Sequence, residues 1–246
     1  MNFDVVVIGA GHAGLEAAVA SARIGARTAV ITFSQDDIGT MSCNPAMGGL
    51  GKGHLIREID AMGGIIGRAS DLSGIQFRML NKTRGEAVQG PRAQIDRNLY
   101  RTNCQKLLKN EKISFIYDEV VNILTHKVSH KELISGVETS NSLKIKCSTI
   151  IVTTGTFLAG RIFCGKENWS AGRLGSRPAL KLSRFFKDRG FSILRLKTGT
   201  PPRIVGSSIN YEKCVVQKGD KNPIPFSFLT KSIPTDQVEC YITHTN

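Results

Sequence analysis

Asp4-Val5-Val6-Val7-Ile8-Gly9-Ala10-Gly11-His12-Ala13-Gly14-Leu15 is the stretch whose reading decides the fold of this chain. Asp4 to Ile8 reads as a buried strand, because an unbroken β-branched run suits a strand covered on both faces. The glycines break it. Leu15 to Ile24 is alanine-rich and helical, with Leu15, Ala18 and Ala22 on one face. Gly25 stops the helix, and Thr28 to Thr32 is a second strand. Strand, glycine loop, helix and strand in this order open a doubly wound α/β sheet. Each glycine of Gly9-x-Gly11-x-x-Gly14 stands where a dinucleotide site needs one. Gly9 permits the tight turn, Gly11 lets backbone approach a pyrophosphate, and Gly14 lets helix and strand pack closely. Free N–H groups at the helix start then face the phosphates. A loop that only packs two elements would carry the same glycines.

The acidic residue that usually meets the ribose of NAD is absent. The second strand ends Ile31-Thr32-Phe33, and the first acids are Asp36 and Asp37. A later apolar strand ends in a small turn, Thr149-Ile150-Ile151-Val152-Thr153-Thr154-Gly155, a pattern of flavoproteins that favours FAD. Between these signals, glycine-rich Asp36 to Gly67 reads as a loop that lets backbone approach a ligand. Gln94 to Leu108 reads as an amphipathic helix. Short strands follow at Ile113 to Ile116 and Val120 to Leu124, then a meander around Leu133 to Ile145. A helix at Arg184 to Arg189 and a strand at Ile193 to Leu196 complete the regular pattern. Pro201-Pro202 marks a rigid turn, and Tyr241 to Asn246 reads as a strand. The expected fold is α/β: an FAD-binding Rossmann-like sheet of the glutathione-reductase type with a β-meander. Its domain would span 1–198, without its closing segment, and 199–246 would begin an inserted NADH-binding or substrate domain.

Composition narrows the partners. The chain carries 33 Lys and Arg against 20 Asp and Glu, a net +13, which favours a polyanionic partner. Basic residues cluster at Arg78, Lys82, Arg84, Arg92, Arg97 and Arg101, and again at Arg195, Lys197 and Arg203. Six cysteines form no C-x-x-C pair, which argues against zinc and a redox dithiol. No apolar run approaches a membrane span, and no secretory or transit signal is expected. Reduced thiols in a cytoplasmic compartment are the expectation.

Met41-Ser42-Cys43-Asn44-Pro45-Ala46-Met47-Gly48-Gly49-Leu50-Gly51-Lys52-Gly53-His54-Leu55 is too distinctive for a linker. It closely resembles the same stretch of the GidA/MnmG family, the tRNA uridine 5-carboxymethylaminomethyl modification enzymes. Further blocks carry the resemblance along the whole chain: Arg57 to Gly64, Gly74 to Arg78, Pro91 to Gln94, Thr154 to Leu158, Leu196 to Arg203 and Cys240 to Asn246.

The resemblance implies FAD on the N-terminal fold, reduced by NADH. It implies modification of C5 of the wobble uridine of tRNA with an MnmE-type GTPase, a methylene-folate supplying the carbon and glycine or ammonia the amine. Gly9, Ala10, Gly11, His12, Ala13 and Gly14 would hold the FAD pyrophosphate, and the Val121 backbone would meet the adenine side. Thr154 and Gly155 would lie near the flavin. Ala179 stands where members often have a serine, and Glu86 and Gln89 also depart from the usual pattern. Cys43 would be the catalytic thiol, an acid/base or transient nucleophile once Lys52 or a helix N-terminus lowers its pKa; a small residue filling a loop core is the bland alternative. Asn44 would hydrogen-bond the flavin ring or fix its own turn, and Lys52 would bear on the flavin, on a phosphate or only on solvent. Arg92, Arg97, Lys197 and Arg203 would contact tRNA phosphate or pair with acids on their own elements. Family members are more than twice this length and form homodimers, so the chain reads as an N-terminal fragment. Two other readings stay open: a flavin oxidoreductase of a small molecule, and an inactive FAD- or tRNA-binding fragment.

Overall fold

The computed structural model describes residues 1–200, 202–234 and 236–244. In chain order they form β1 (Val5–Ile8), α1 (His12–Arg23), β2 (Thr28–Thr32), β3 (Ala46–Gly48), α2 (Lys52–Ala61), α3 (Ile66–Asp71), β4 (Gly74–Leu80), β5 (Gly90–Ile95) and α4 (Arg97–Leu108). There follow β6 (Ile113–Tyr117), β7 (Val120–Val128), β8 (Lys131–Thr139), β9 (Lys144–Lys146), β10 (Thr149–Val152), β11 (Arg161–Cys164), β12 (Glu167–Ser170), α5 (Lys181–Asp188), β13 (Val215–Gln217) and β14 (Cys240–Ile242). The chain divides into two compact units: residues 1–42 with 108–197, and residues 43–107 with 198–246. The units change at 42/43, 107/108 and 197/198.

Unit 1 is built on a parallel sheet in the order β10-β1-β2-β6. Alternation along its strands sends side chains to opposite faces. Val6, Ile8, Ala29 and Ile31 enter a core with Val120, Ile123, Val137 and Ile145 of the antiparallel meander β7-β8-β9 and with Leu182 of α5. Val7 and Val30 alternate with them and are fully buried, and α1 packs on the same sheet. The α/β class with a parallel sheet and a β-meander is therefore the observed architecture. Helix α1 ends as its sequence dictates. Gly25 takes φ +91°, and the amides of Ala26 and Gly25 return to the carbonyls of Ser21 and Ala22.

The start of β1 is tied to the start of β2 by Asp4. Its carboxylate accepts hydrogen bonds from the Arg27 amide (2.8 Å), Nε (3.1 Å) and Nη2 (2.7 Å). The Arg27 side chain, then its amide, hold the Asp4 carboxyl well below the usual range, at about 2. Because the folded pKa is depressed, the pair's stabilisation is present above the ordinary Asp range and is lost as pH falls through about 2. An NMR titration should place the Asp4 midpoint near 2, and Arg27→Gln should return it toward the ordinary value; a normal midpoint in the parent chain would refute the contact.

Unit 2 is built on the antiparallel sheet β3-β5-β4 with the antiparallel pair β13-β14. Here the glycine-rich stretch departs from expectation. Residues 36–67 are not one loop: they contain β3, α2 and the start of α3. The glycines serve approach rather than irregularity. At Gly53, inside α2, a Cβ would lie 2.8 Å from the Pro91 carbonyl oxygen, so the helix sits directly against β5. At Gly48 (φ +77°) a Cβ would meet the Pro91 carbonyl oxygen at 2.1 Å and the ring of fully buried Phe226 at 2.7 Å.

Three more expectations change. The helix expected over Gln94 to Leu108 begins at Arg97, because Gln94 and Ile95 pair in β5 and the Asp96 carboxylate caps the amides of Asn98 and Leu99 at 2.9 Å. The helix at Arg184 to Arg189 extends back to Lys181 and stops at Asp188. Ile193 to Leu196 is not a strand. None of the described strands pairs with it, and Leu194 and Leu196 are 81% and 89% exposed. Of the last block, Cys240 to Ile242 pairs with β13, while Pro201, Thr235, Thr245 and Asn246 lie outside the described residues.

Candidate functional site

In unit 1 the glycine loop and the end of β10 form one structure. Thr153 is the link. Its amide and Oγ1 both donate to the Ile8 carbonyl at 2.9 Å, and Oγ1 reaches the Gly9 carbonyl at 3.2 Å. Gly9, at φ +105°, has its missing Cβ position 2.6 Å from the Thr153 carbonyl oxygen. At Gly14 a Cβ would fall 1.9 Å from the Gly9 carbonyl oxygen and 2.7 Å from Thr153 Oγ1. Both glycines are thus demanded by the protein's own packing.

Gly11 is different. A Cβ there would meet nothing within 4 Å, and its φ of −74° suits any residue. Packing within the chain does not require this glycine, whereas close approach by a ligand would. Gly11 is also the N-cap of α1 and provides no side-chain cap, and the first turn holds no acid. The partial positive charge of the helix start is therefore not answered by an acid of its own first turn. Gly155, at φ +55°, likewise has open space where its Cβ would be. The loop, the helix start and the strand end together leave open space beside Gly11 and Gly155 at a helix start without a side-chain cap.

The ribose side lacks a free acid. Asp37 accepts hydrogen bonds from the amide and hydroxyl of Ser34 at 3.1 Å and from Arg173 at 2.9 Å. Thr32 is buried, and its carbonyl takes the Asp118 amide. Ala179 is buried, with its amide bonded to Phe157 and its carbonyl to Ala159, so neither backbone group is spare. Val121 lines a cavity of about 830 Å3 between β7 and α5, together with Asn122, Lys181, Arg184 and Lys187.

The other candidates belong to unit 2, apart from Lys197. Cys43 is half-buried ahead of β3, its Sγ 3.5 Å from Thr198 Oγ1. Its carbonyl accepts a hydrogen bond from the Arg97 guanidinium, so Arg97 holds the Cys43 loop. Asn44 is exposed. Lys52 opens α2, and its ammonium is held below the ordinary lysine value, first by desolvation and then by the Arg92 guanidinium, with Cys43 opposing. The residue as a whole remains exposed, so the desolvation reflects crowding by neighbours rather than enclosure. Lys197 and Arg203 are exposed and fall in different units. The structure thus brings Cys43, Lys52, Arg92 and Arg97 together within unit 2 and keeps the glycine loop, Thr154, Gly155, Val121 and Ala179 within unit 1.

Two residues gain a place here that the sequence does not give them. Thr153 ties the strand end to the glycine loop, and its only signal in the sequence is a threonine directly before Thr154-Gly155. Arg78 counts in the sequence as one of a basic cluster; strand register is what sets it opposite Arg92.

The sequence profile of the family described as "Glucose inhibited division protein A" matches residues 4–246. The chain is 47% identical over 245 residues to the "tRNA uridine 5-carboxymethylaminomethyl modification enzyme MnmG" of Thermodesulfovibrio yellowstonii, covering 100% of this chain and 39% of that protein. The protein of the same name from Borreliella afzelii is 47% identical over 247 residues, covering 100% and 40%. GidA of Aquifex aeolicus, in its form II crystal, superposes with a TM-score of 0.90 at 45% identity over 98% of this chain and 40% of that one. The GidA-related protein of Thermus thermophilus shares the fold, with a TM-score of 0.55 at 19% identity over 78% and 70% of the chains. This chain spans about 40% of the length of the curated relatives it matches. With the profile matched from residue 4 to residue 246, the chain belongs to the family described as Glucose inhibited division protein A.

Proposed function

We propose that this chain is the FAD-binding part of an enzyme that modifies C5 of the wobble uridine of tRNA, installing a carboxymethylaminomethyl group. The observation that carries the cofactor reading is Gly11: a glycine that the fold does not need, at an uncapped helix start, beside two glycines that the fold does need. Gly9 to Gly14 would hold the pyrophosphate through backbone N–H groups, with Thr154, Gly155, the Val121 backbone and Ala179 along the rest of the cofactor. Bound FAD supplies a centre that takes and returns electron pairs. NADH belongs to this reading as reductant and methylene-folate as carbon donor.

The tRNA part is supported by the name borne by the 47%-identical relatives and by the net charge of +13. Within it, Cys43 is the candidate catalytic thiol, and Asn44 and Lys52 are candidate contacts to the reacting groups. Arg92, Arg97, Lys197 and Arg203 are the candidate tRNA contacts. Partnership with an MnmE-type GTPase, a homodimeric assembly and a cytoplasmic location complete the proposal; no described helix is long and apolar enough to cross a membrane.

The test is a titration of the purified chain with FAD, followed by absorbance and flavin fluorescence. Saturable binding with a shifted flavin spectrum is the expected result. A folded chain that leaves the spectrum of free FAD unchanged would overturn the reading.

A further inference from the structure

Arg78 on β4 and Arg92 on β5 are directly opposed partners in the antiparallel sheet of unit 2. Residues directly opposite share a face, and like charges placed there repel. Both arginines are half-buried, so water relieves that repulsion only in part. A third cation adds to it. The Arg92 guanidinium passes near Gly49, whose ideal Cβ would lie 3.9 Å from Nη1, and Lys52 follows at the start of α2. The field of Arg92 is felt at Lys52, whose ammonium it helps to hold below the ordinary value, while Cys43 acts in the opposite direction.

Among the described residues, no carboxylate pairs with Lys52, Arg78 or Arg92, and no side chain or carbonyl accepts a hydrogen bond from their side chains. Other basic residues of the chain are answered: Arg23 by Glu111, Arg27 by Asp4, Lys82 by Asp220, Arg173 by Asp37 and Arg189 by Glu132. Arg97, a neighbour in sequence, is spent on the Cys43 carbonyl. Arg92, with Arg78 opposite it on the sheet and Lys52 within its field, presents donors without a described acceptor, and guanidinium forks recognise a tetrahedral anion with several oxygens well. We propose that Lys52, Arg78 and Arg92 form one phosphate-binding site that seats the backbone of the RNA substrate beside the Cys43 loop. The inference rests on the tRNA reading above and sharpens it: Lys52 is assigned to backbone phosphate rather than to the reacting groups and binds with Arg78 and Arg92, whereas Arg97 positions the loop.

The probe is a labelled anticodon stem–loop RNA titrated against the full chain over a range of salt concentrations. Arg78→Gln/Arg92→Gln should weaken binding about tenfold and lower the slope of log K against log salt by about 1, the signature of one lost phosphate contact. Lys52→Gln, at an exposed position, should act in the same direction and guards against a double variant that fails to fold. Lys166→Gln, on the β11-β12 turn of unit 1, should change neither quantity. Removing either arginine should also raise the melting temperature at low salt, because it relieves the repulsion. Wild-type affinity and slope in the folded variants would overturn the site and leave the tRNA reading standing. A parent chain that does not bind the stem–loop even at low salt would overturn that reading and the site with it.

Discussion

Gly14→Ala should destabilise unit 1 by about 3 kcal/mol or more, the upper range for forcing atoms into a packed site. The new methyl would lie 1.9 Å from the Gly9 carbonyl oxygen, which is backbone and cannot swing away, and 2.7 Å from Thr153 Oγ1. Relief requires α1 to part from β1, and the Thr153 bonds to Ile8 and Gly9 would go with it. Gly11→Ala is the matched comparison. Nothing lies within 4 Å of its Cβ position, and the only expected cost to folding is the poorer N-cap, about 1 kcal/mol. Its effect should appear in FAD affinity, because the methyl would stand in the space that the pyrophosphate needs. Urea unfolding of both variants, followed by FAD titration of whichever folds, separates the two roles. Equal stability losses at both positions would refute the division of labour. So would a Gly11→Ala chain that binds FAD as the parent does.

Asp71→Ala should cost unit 2 about 3 kcal/mol, because it would strip acceptors from two buried amides at once. Asp71 is fully buried, and its carboxylate accepts the amides of Phe226 at 2.8 Å and Ser227 at 2.9 Å. Asp60 does the same for the Phe228 amide at 2.8 Å, and Arg57 donates to the Pro225 carbonyl while lying over the Phe228 ring. Together they pin Pro225 to Phe228, which includes the fully buried Phe226 that fills the space under Gly48. Hydrogen exchange at Phe226 and Ser227 should accelerate selectively in the variant. A loss below about 1 kcal/mol would mean that the Phe226 ring, rather than the carboxylate, anchors the segment.

The same residue sets a pH dependence. Burial pushes the Asp71 carboxyl up, against the hydrogen bonds from Phe226, Ser227 and Thr230, and nearby Asp60 pushes it further. The folded state then binds the proton more tightly than the unfolded chain does. Its contribution to stability therefore declines as pH rises from the ordinary Asp range through the raised value. Asp71→Asn, which cannot ionise, should remove that decline.

Much of unit 1 was legible because its signals are local. The β-branched runs of β1 and β2, the alanine-rich α1, the Gly25 stop and the spacing of Gly9, Gly11 and Gly14 lie within the first 32 residues, and the structure reproduces the elements, with β1 starting at Val5 rather than Asp4 and α1 running from His12 to Arg23 rather than from Leu15 to Ile24. Candidate residues were legible by type and spacing. Their division into a glycine-loop set in unit 1 and a Cys43 set in unit 2 was not, because it depends on which distant segments pack together.

The errors share that cause. Gly48 and Gly53 read as loop residues, yet they are glycines because Pro91 and Phe226 come so close; a neighbour more than thirty residues away decides between irregular chain and a tightly packed helix. Ile193 to Leu196 has the composition of a strand, but a strand needs a hydrogen-bonded neighbour and no described strand pairs with it. Gln94 was drawn into β5 by β3 and β4, so α4 waits for the Asp96 cap.

The sequence by itself thus determined the parallel βαβ opening and the dinucleotide-type loop, because propensity, glycine freedom and helix capping act over a few residues. Tertiary structure alone decided that Gly11 is the glycine the chain's own packing does not require, that Asp71 holds Phe226 and that Arg78 faces Arg92. Those facts depend on distances between residues far apart in the chain, and packing and strand register set such distances.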